Sequence, residues 1–165
     1  MMMILVHQFL LISVILSQSI WESNRIVQDL ELSAFSWSDV RSITSRCSHP
    51  EPSDEVGYAW CAGNSNGESW LQVDLGKPYL IQYVVTWGRN SPNNEQWVTS
   101  YNLSYSLDGI TFINDDISNP LNGNENDYDE SVNLLDPMII AQYLRFTPIT
   151  WNEHPSMKIE ASGIS

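Results

Sequence analysis

The residues of this chain whose types suggest a chemical role are possible metal ligands with oxygen atoms, and not catalytic groups. Residues 122–130 concentrate amide and carboxylate oxygens, which are the ligands that calcium prefers. The run lacks the sixth-position glycine and twelfth-position glutamate of an EF-hand loop, so a solvated acidic loop is the favoured interpretation. Asn124 and Asp127 remain weak calcium candidates, and no other metal or cofactor is expected.

Catalytic motifs are missing from the sequence. There is no G-x-S-x-G elbow, no H-E-x-x-H pair and no phosphate-binding glycine loop. The three histidines are His7, His49 and His154, and none lies beside a candidate nucleophile in the sequence. The chain is therefore not expected to be an enzyme.

The first 16 residues form an uncharged apolar run that ends in Ser17, Gln18 and Ser19. Such a run is shorter than a membrane-spanning helix and is typical of a signal peptide. We expect a signal peptide over residues 1–18 and a secreted, extracellular domain over residues 20–165. The run has no Lys or Arg before its apolar part, so an uncleaved anchor stays open as the alternative.

Two cysteines, Cys47 and Cys61, follow the signal, and oxidation in the secretory route favours a disulfide between them. Free thiols are the alternative, whereas a zinc site lacks the paired histidines that would complete four ligands. Asn102, followed by Leu103 and Ser104, begins a glycosylation sequon and is expected to point away from the sheet.

The charge of the chain limits its partners. It has 20 acidic and 7 basic residues, giving a formal net charge of −13. Such a field repels nucleic acid and anionic lipid headgroups. Nucleic acid is therefore not expected as a partner, and an anionic membrane is disfavoured.

The elements that must position these residues are strands. Apolar residues alternate over residues 70–75, 79–88, 101–105, 143–149 and 157–163, with turn residues between the runs. Asp108-Gly109 predicts a hairpin turn. Residues 47–67 and 115–129 are polar, do not alternate and are expected to be loops. Short strands without a long amphipathic helix indicate an antiparallel sandwich or barrel.

Seven motifs follow one another along the chain: AWC (59–61), WLQVDLGKP (70–78), TWGR (86–89), QWVTSYNLSYSLDG (96–109), NGNEN (122–126), DPMIIAQYLRFTPITW (136–151) and MKIEASG (157–163). In this order and spacing they resemble the discoidin domain, also called the coagulation factor V/VIII type C domain. Residues 22–39 resemble its opening strand and first ligand loop. The SWSD segment ahead of AWC is closest to the collagen-binding discoidin-domain receptors.

The resemblance implies an all-β, antiparallel jelly-roll β-sandwich of the galactose-binding-like type, with eight main strands and ligand loops at one end. Family ligands include phosphatidylserine membranes, galactose-type sugars, collagen and protein partners, so the fold does not fix the ligand. This sequence departs from the family in lacking its terminal cysteine pair and in having TWGR where TQGR is usual.

The resemblance also places candidate ligand contacts in the loops. Those in the first loop are Phe35, Trp37 and Asp39, although Phe35 could point into the core instead. Arg89 and Glu95 match the second loop, with a surface ion pair as the alternative role. Asn152 and His154 lie in the loop before the last strand, beside Trp151, which is interpreted as a core or rim aromatic.

Three functions compete on these grounds. The first is an adhesion module of the extracellular matrix that binds a collagen-like protein through Trp37, Arg89 and Glu95. The second is a lectin-type module that binds galactose-like sugars through Arg89, Asn152 and His154. Phosphatidylserine binding is third because the acidic charge opposes it, and an acidic matrix or shell protein that binds mineral is a further alternative.

Overall fold

The computed structural model describes residues 24–42, 46–93, 95–114 and 120–165. The expected signal peptide therefore lies outside the described residues, as do residues 22–23 of the opening segment. The strands are β1 Phe35–Trp37, β2 Trp60–Cys61, β3 Leu71–Trp87, β4 Trp97–Ser106, β5 Leu121–Asn122, β6 Ser131–Asn152 and β7 Ser156–Ile164. Within the described ranges, no helix has the length and apolar character needed to span a membrane.

Two long strands, β3 and β6, build the sandwich because each contributes to both layers. The first part of β3 pairs with β1 and with the second part of β6, which pairs with β4, and β4 carries β5 at its other edge. The second part of β3 pairs with the first part of β6 and with β7, which pairs with β2. Every pairing is antiparallel, so the predicted all-β antiparallel sandwich is confirmed.

The described residues form seven strands where the resemblance implies eight main strands, and the separate runs at 70–75 and 79–88 lie in one continuous strand, β3. Gly76, at a φ of 78°, lets the backbone turn without ending β3. The register of β3 against β6 shifts between Asp74 and Tyr79, and pairing then resumes. Residues 131–142 were not expected to be a strand, yet they form the first part of β6.

The opening segment is not the strand that the resemblance implies. Its described part forms two short 3₁₀ helices, Val27–Asp29 and Leu32–Ala34, before β1. The cause is Glu160 of β7, whose carboxylate accepts the backbone N–H groups of Ile26, Val27 and Gln28 at 3.1, 2.6 and 3.0 Å. Ile26 also donates to the Ala161 carbonyl at 2.9 Å, so the segment meets β7 through an isolated bridge between Arg25 and Ser162 before it turns into the first 3₁₀ helix.

The hairpin at Asp108-Gly109 is confirmed, but it is wider than a two-residue turn. Gly109 has a φ of 72°, and Tyr105 exchanges two backbone hydrogen bonds with Ile113 across the turn. Asp108 accepts the N–H groups of Ile110 and Thr111, both at 2.8 Å. These bonds are the main reason why the pKa of Asp108 falls to about 2.

The core fills the space between the two layers with apolar side chains from both of them. Its members include Leu71, Val73, Ile81, Val84, Leu103, Leu144, Phe146, Met157 and Ile159. Phe35 belongs to this core at 8% exposure and pairs with Val73 across β1 and β3. The expectation that Phe35 contacts a ligand is therefore corrected, because the side chain is buried.

The expected disulfide joins Cys47 to Cys61, with their Cα atoms 4.8 Å apart. Both cysteines are buried. The bridge ties the segment before β2 to β2 itself, which carries the fully buried Trp60. The disulfide closes a loop within residues 47–67, which the sequence predicts to be mostly irregular.

Replacing both cysteines by alanine is expected to lower the free energy of unfolding by roughly 3 kcal/mol, because a cross-link closing about 15 residues restricts the unfolded chain by that amount. Urea unfolding of wild type and double variant measures the difference. Wild type in a reducing agent should match the variant. Equal stability with and without the bridge would show that the disulfide does not support the fold.

Candidate functional site

The loop end of the sandwich, residues 38–41, 57–66, 89–93 and 152–155, brings together most of the predicted site residues. The loops are joined by side-chain hydrogen bonds. Asp39 accepts the N–H of Gly63 at 3.2 Å and the side-chain amide of Asn64, and its carbonyl accepts the indole N–H of Trp60. Asp39 therefore fixes its neighbouring loop rather than standing free for a ligand.

Arg89 is held in the same way. Its Nε donates to the Gly57 carbonyl at 2.9 Å and its Nη1 to Gln96 Oε1 at 3.3 Å. The ion pair between Arg89 and Glu95, which was the alternative to ligand contact, is not among the salt bridges of the described residues, and Glu95 is exposed. Burial, with Arg41 and Arg46 nearby, lowers the pKa of Arg89.

His154 is also bound inside the loop end rather than solvated. Nε2 donates to the Ala62 carbonyl at 2.8 Å, which leaves Nδ1 to accept the Ser65 hydroxyl at 3.1 Å. Burial is the main cause that lowers the pKa of His154, and Arg41 and Arg89 lower it further. The ring is neutral at pH 7, and both of its nitrogens are engaged.

Trp37 and Asn152 complete the predicted set. Trp37 lies in β1 opposite Leu71, half-buried against the core, and not at a loop tip. Asn152 donates to the Glu95 carbonyl at 2.6 Å. The sequon residue Asn102 lies in β4 opposite Thr147 and is half-buried. Its glycosylation stays a prediction, as does ligand contact by Trp37.

Asn124, one of the two weak calcium candidates, has a structural role. Asn124 is buried, accepts the Thr86 hydroxyl at 2.8 Å, and donates to the carbonyls of Thr86 and Asp129 at 2.9 and 2.7 Å. Its amide therefore holds the acidic loop against β3. Among the described residues, no group of three metal-ligating side chains surrounds Asp127 or any other position.

A concave region apart from the loop end, here called the polar cleft, lies between β4, β5 and β6. It encloses about 950 Å³. Its lining residues are Trp97, Thr99, Asn122, Gly123, Asn124, Glu125, Asn126, Asp129, Glu130, Ser131, Val132, Asn133, Trp151 and Asn152. This volume is at the upper end of those typical for small-ligand sites, and amides are the commonest polar groups in the lining.

Two tryptophans give the polar cleft its flat apolar surface. Trp97 begins β4 and Trp151 stands one residue before the end of β6, where the two strands pair. Both are half-buried. Neither indole N–H has a hydrogen-bond partner within the described ranges, so each can donate to a ligand.

The opposite wall is the loop of residues 122–131, and its position is fixed by the backbone. The N–H groups of Gly123 and Asn124 donate to the carbonyls of Thr99 and Val98 at 2.8 and 2.7 Å. A side chain at Gly123 would collide with the Val98 carbonyl, so only glycine permits this approach. Asn126 then closes the loop by accepting the N–H groups of Tyr128 and Asp129.

The polar cleft is acidic. It contains three carboxylates, Glu125, Asp129 and Glu130, and none of its described lining residues is Lys or Arg. The side chains of Asn122 and Glu125 make no hydrogen bond within the described residues. The arrangement can accept hydrogen bonds from hydroxyl groups, donate through amides and indoles, and repel anions.

Sequence reasoning missed this site. Trp151 was assigned to the core or rim, Trp97 was not singled out, and residues 122–130 were treated as a solvated loop or a calcium site. Of the predicted ligand residues, only Asn152 lines the polar cleft. The available signal was a tryptophan just outside each of two predicted strands, Trp97 before residues 101–105 and Trp151 after residues 143–149.

A small antiparallel sandwich with a polar, aromatic-walled cleft has the form of a ligand-binding module. The model of the F5/8 type C domain matches residues 49–161, and the chain belongs to that family. The suspected discoidin domain is thereby confirmed, while the suspicion of a receptor-type relationship stays a prediction.

Similar proteins agree with this assignment. Coagulation factor V of Mus musculus is 33% identical over 110 residues, covering 64% of this chain and 5% of the factor. Discoidin II of Dictyostelium discoideum superposes with a TM-score of 0.66 at 19% identity, over 79% of this chain and 55% of that one. The galactose complex of the family 32 CBM from C. perfringens NanJ gives 0.59 at 18% identity, over 84% and 97%. The galactose-binding-like fold is confirmed.

Proposed function

We propose that this domain is an extracellular glycan-binding module that holds a neutral, hydroxyl-rich oligosaccharide in the polar cleft. The observation that carries the proposal is the pairing of two tryptophans with amide and carboxylate side chains in one concave site. Sugar rings offer apolar C–H faces to indoles and hydroxyl groups to planar polar side chains. The superposition on a CBM in complex with galactose supports this ligand class.

The charge of the polar cleft supports neutral glycans over acidic ones. Glu125 and Asp129 take part in none of the ion pairs of the described residues, whereas Glu130 is paired with Arg25. The two unpaired carboxylates and the net charge of −13 repel sialylated or sulfated chains. The disulfide supports an oxidising compartment such as the secretory route. Binding, rather than catalysis, is the activity proposed for this chain.

The collagen-like ligand is a weaker candidate, although the sequence placed it first. Phe35 is in the core, Trp37 is half-buried in β1, and Arg89 is tied to Gly57 and Gln96. A protein partner would therefore meet a shallow surface of exposed loop residues around Asn64 and Asn66. This chain spans about 5% of the length of the coagulation factors that it matches, so what those whole proteins bind does not identify its ligand.

An array of neutral oligosaccharides, their sialylated counterparts and fibrillar collagens tests the proposal. We expect saturable binding to neutral galactose-containing chains and at least about 10-fold weaker binding once a sialic acid is added, since burying an anion beside carboxylates costs over about 1.4 kcal/mol. Preferential binding of collagen, or of sialylated chains, would contradict the proposal.

A further inference from the structure

Two asparagines of this chain are followed directly by glycine, Asn66 at the loop end and Asn122 in the wall of the polar cleft. Such an asparagine can react with its own backbone, because the N of the next residue lies close enough to attack the side-chain carbonyl carbon. Glycine favours the attack, since it has no Cβ to shield its N and adopts a wide range of backbone conformations. The surroundings of each glycine N–H therefore decide which asparagine reacts.

The pair Asn66-Gly67 is open to this reaction. Both residues are exposed, and Gly67 has a φ of 79°. Apart from the chain neighbours of Gly67, no atom lies within 4 Å of the position that a Cβ would take there. The N–H of Gly67 makes no hydrogen bond within the described residues. The attacking nitrogen is therefore unshielded and can lose its proton to solvent.

The side chain of Asn66 is polarised for the attack. Its Oδ1 accepts the backbone N–H of Glu68 at 3.0 Å. When the nitrogen adds to Cγ, this oxygen gains negative charge, and a donor that already points at the oxygen stabilises that charge. The turn therefore supplies an acceptor carbon beside a nitrogen that is free to react.

The pair Asn122-Gly123 is closed to the reaction, although the Asn122 side chain is also exposed. The N–H of Gly123 donates to the Thr99 carbonyl at 2.8 Å, and a Cβ at Gly123 would collide with the Val98 carbonyl. Attack would have to break this hydrogen bond and separate β5 from β4, where Asn122 pairs with Ser100. The same dipeptide is thus protected in the polar cleft and accessible at the loop end.

We propose that Asn66 is a site of spontaneous modification, at which the side-chain amide is lost and a carboxylate takes its place. The Gly67 N gives its proton to solvent and bonds to Asn66 Cγ. The bond from Cγ to Nδ2 then breaks, and Nδ2 takes a proton from solvent and leaves as ammonia. One water hydrolyses the resulting five-membered succinimide at either of its carbonyls, which gives aspartate or isoaspartate. The step needs no oxidant or reductant.

The modification changes the charge of the turn and the contacts that it makes. The new carboxylate replaces an amide that donates to Glu68 Oε2 at 2.7 Å, so an attraction becomes a repulsion between like charges. The same turn holds two neighbouring loops, because Asn64 donates to the Asp39 carboxylate and the Ser65 hydroxyl bonds to His154 Nδ1 at 3.1 Å. The repulsion therefore loosens the contacts that join the loops of the loop end.

Peptide mass spectrometry of the purified chain, aged in a mildly alkaline buffer, measures the reaction at both asparagines. We expect Asn66 to lose its amide at least about 10-fold faster than Asn122, because attack at Asn122 must first break a hydrogen bond of the fold. Isoaspartate and aspartate should both form, and the rate should rise with pH because the Gly67 N must lose a proton. Loss of amide at Asn66 that is no faster than at Asn122 would overturn the proposal.

Unfolding in guanidinium chloride provides the matched control, because it removes the protection of Asn122 and leaves both dipeptides unchanged. The rates at the two asparagines should then become similar. A ratio of the two rates that is the same in the folded and the unfolded chain would show that the local sequence sets it, and would overturn the structural argument.

Two variants test the site and its effect. Asn66→Gln should stop the conversion at this position, because ring closure onto glutamine is much slower. Asn66→Asp should reproduce the modified state and speed amide deuterium exchange across residues 64–68. Exchange in Asn66→Asp that equals that of wild type would overturn the proposed loosening of the loop end.

Discussion

Replacing Glu160 by alanine is expected to lower the free energy of unfolding by roughly 3 kcal/mol. The Glu160 side chain is fully buried, and its carboxylate accepts the N–H groups of Ile26, Val27, Gln28 and Ala161. Alanine removes the side-chain acceptor of Val27 and Gln28, whereas Ile26 keeps its hydrogen bond to the Ala161 carbonyl at 2.9 Å. Each buried donor left unsatisfied costs about 1–3 kcal/mol, partly offset by relief of the buried charge. Thermal and urea unfolding measure the loss.

Two further variants separate this role from a general effect of charge. Glu160→Gln keeps the shape and one acceptor oxygen, so it should cost less than alanine. Glu130→Ala removes an exposed partner of Arg25 and should cost at most about 1 kcal/mol. Alanine at 160 that is no more destabilising than alanine at 130 would show that Glu160 does not fix the opening segment.

The stability should also depend on pH through Glu160. Burial raises the pKa of this carboxyl, although the backbone amides oppose the shift. The folded state then binds the proton more tightly than the unfolded state, so stability falls as the pH rises above the ordinary value of 4.5 and levels off above the folded-state pKa. Glu160→Gln should lack this component.

Replacing Trp151 or Trp97 by alanine is expected to weaken binding of a neutral oligosaccharide at least about 30-fold. Truncating a tryptophan at the centre of a binding site commonly costs about 2 kcal/mol or more. Both indoles line the polar cleft, and neither indole N–H has a hydrogen-bond partner among the residues that the structure describes. Isothermal titration of each variant with the best ligand of the array measures the change.

Trp70→Ala is the matched control for these variants. Trp70 is also half-buried, but it lies on the Arg145 guanidinium, 4.2 Å from its ring centre, and outside the polar cleft. It should leave affinity within about twofold of wild type. An equal loss in Trp70→Ala and Trp151→Ala would show that the effect arises from the fold and not from the site.

The sequence predicted the architecture well because alternation and turn residues are local signals. Residues 157–163 and the turn at Gly109 were located correctly for this reason. The opening segment was not, since its conformation depends on Glu160, more than 130 residues away in the chain. No local pattern reveals which side chain will take the N–H groups of residues 26–28.

The candidate site was harder to predict than the fold. Arg89, Asp39 and His154 have polar side chains suited to a ligand, but the structure uses them to join loops to one another. Trp151 was predicted to be a core or rim aromatic that supports the loop before the last strand. The cleft that it lines also needs the close approach of Gly123 to Val98, which is a tertiary contact and has no signature in sequence spacing.

Nuclear magnetic resonance of the seven indole N–H groups tests glycan binding in the polar cleft most directly. The labelled protein is titrated with the neutral oligosaccharide that binds best on the array, and the signals are assigned by single Trp→Phe variants. The account predicts that the Trp97 and Trp151 signals shift together in a saturable way while those of Trp37 and Trp70 stay in place. Shifts at Trp37 and Trp70 with none at Trp97 and Trp151 would contradict it.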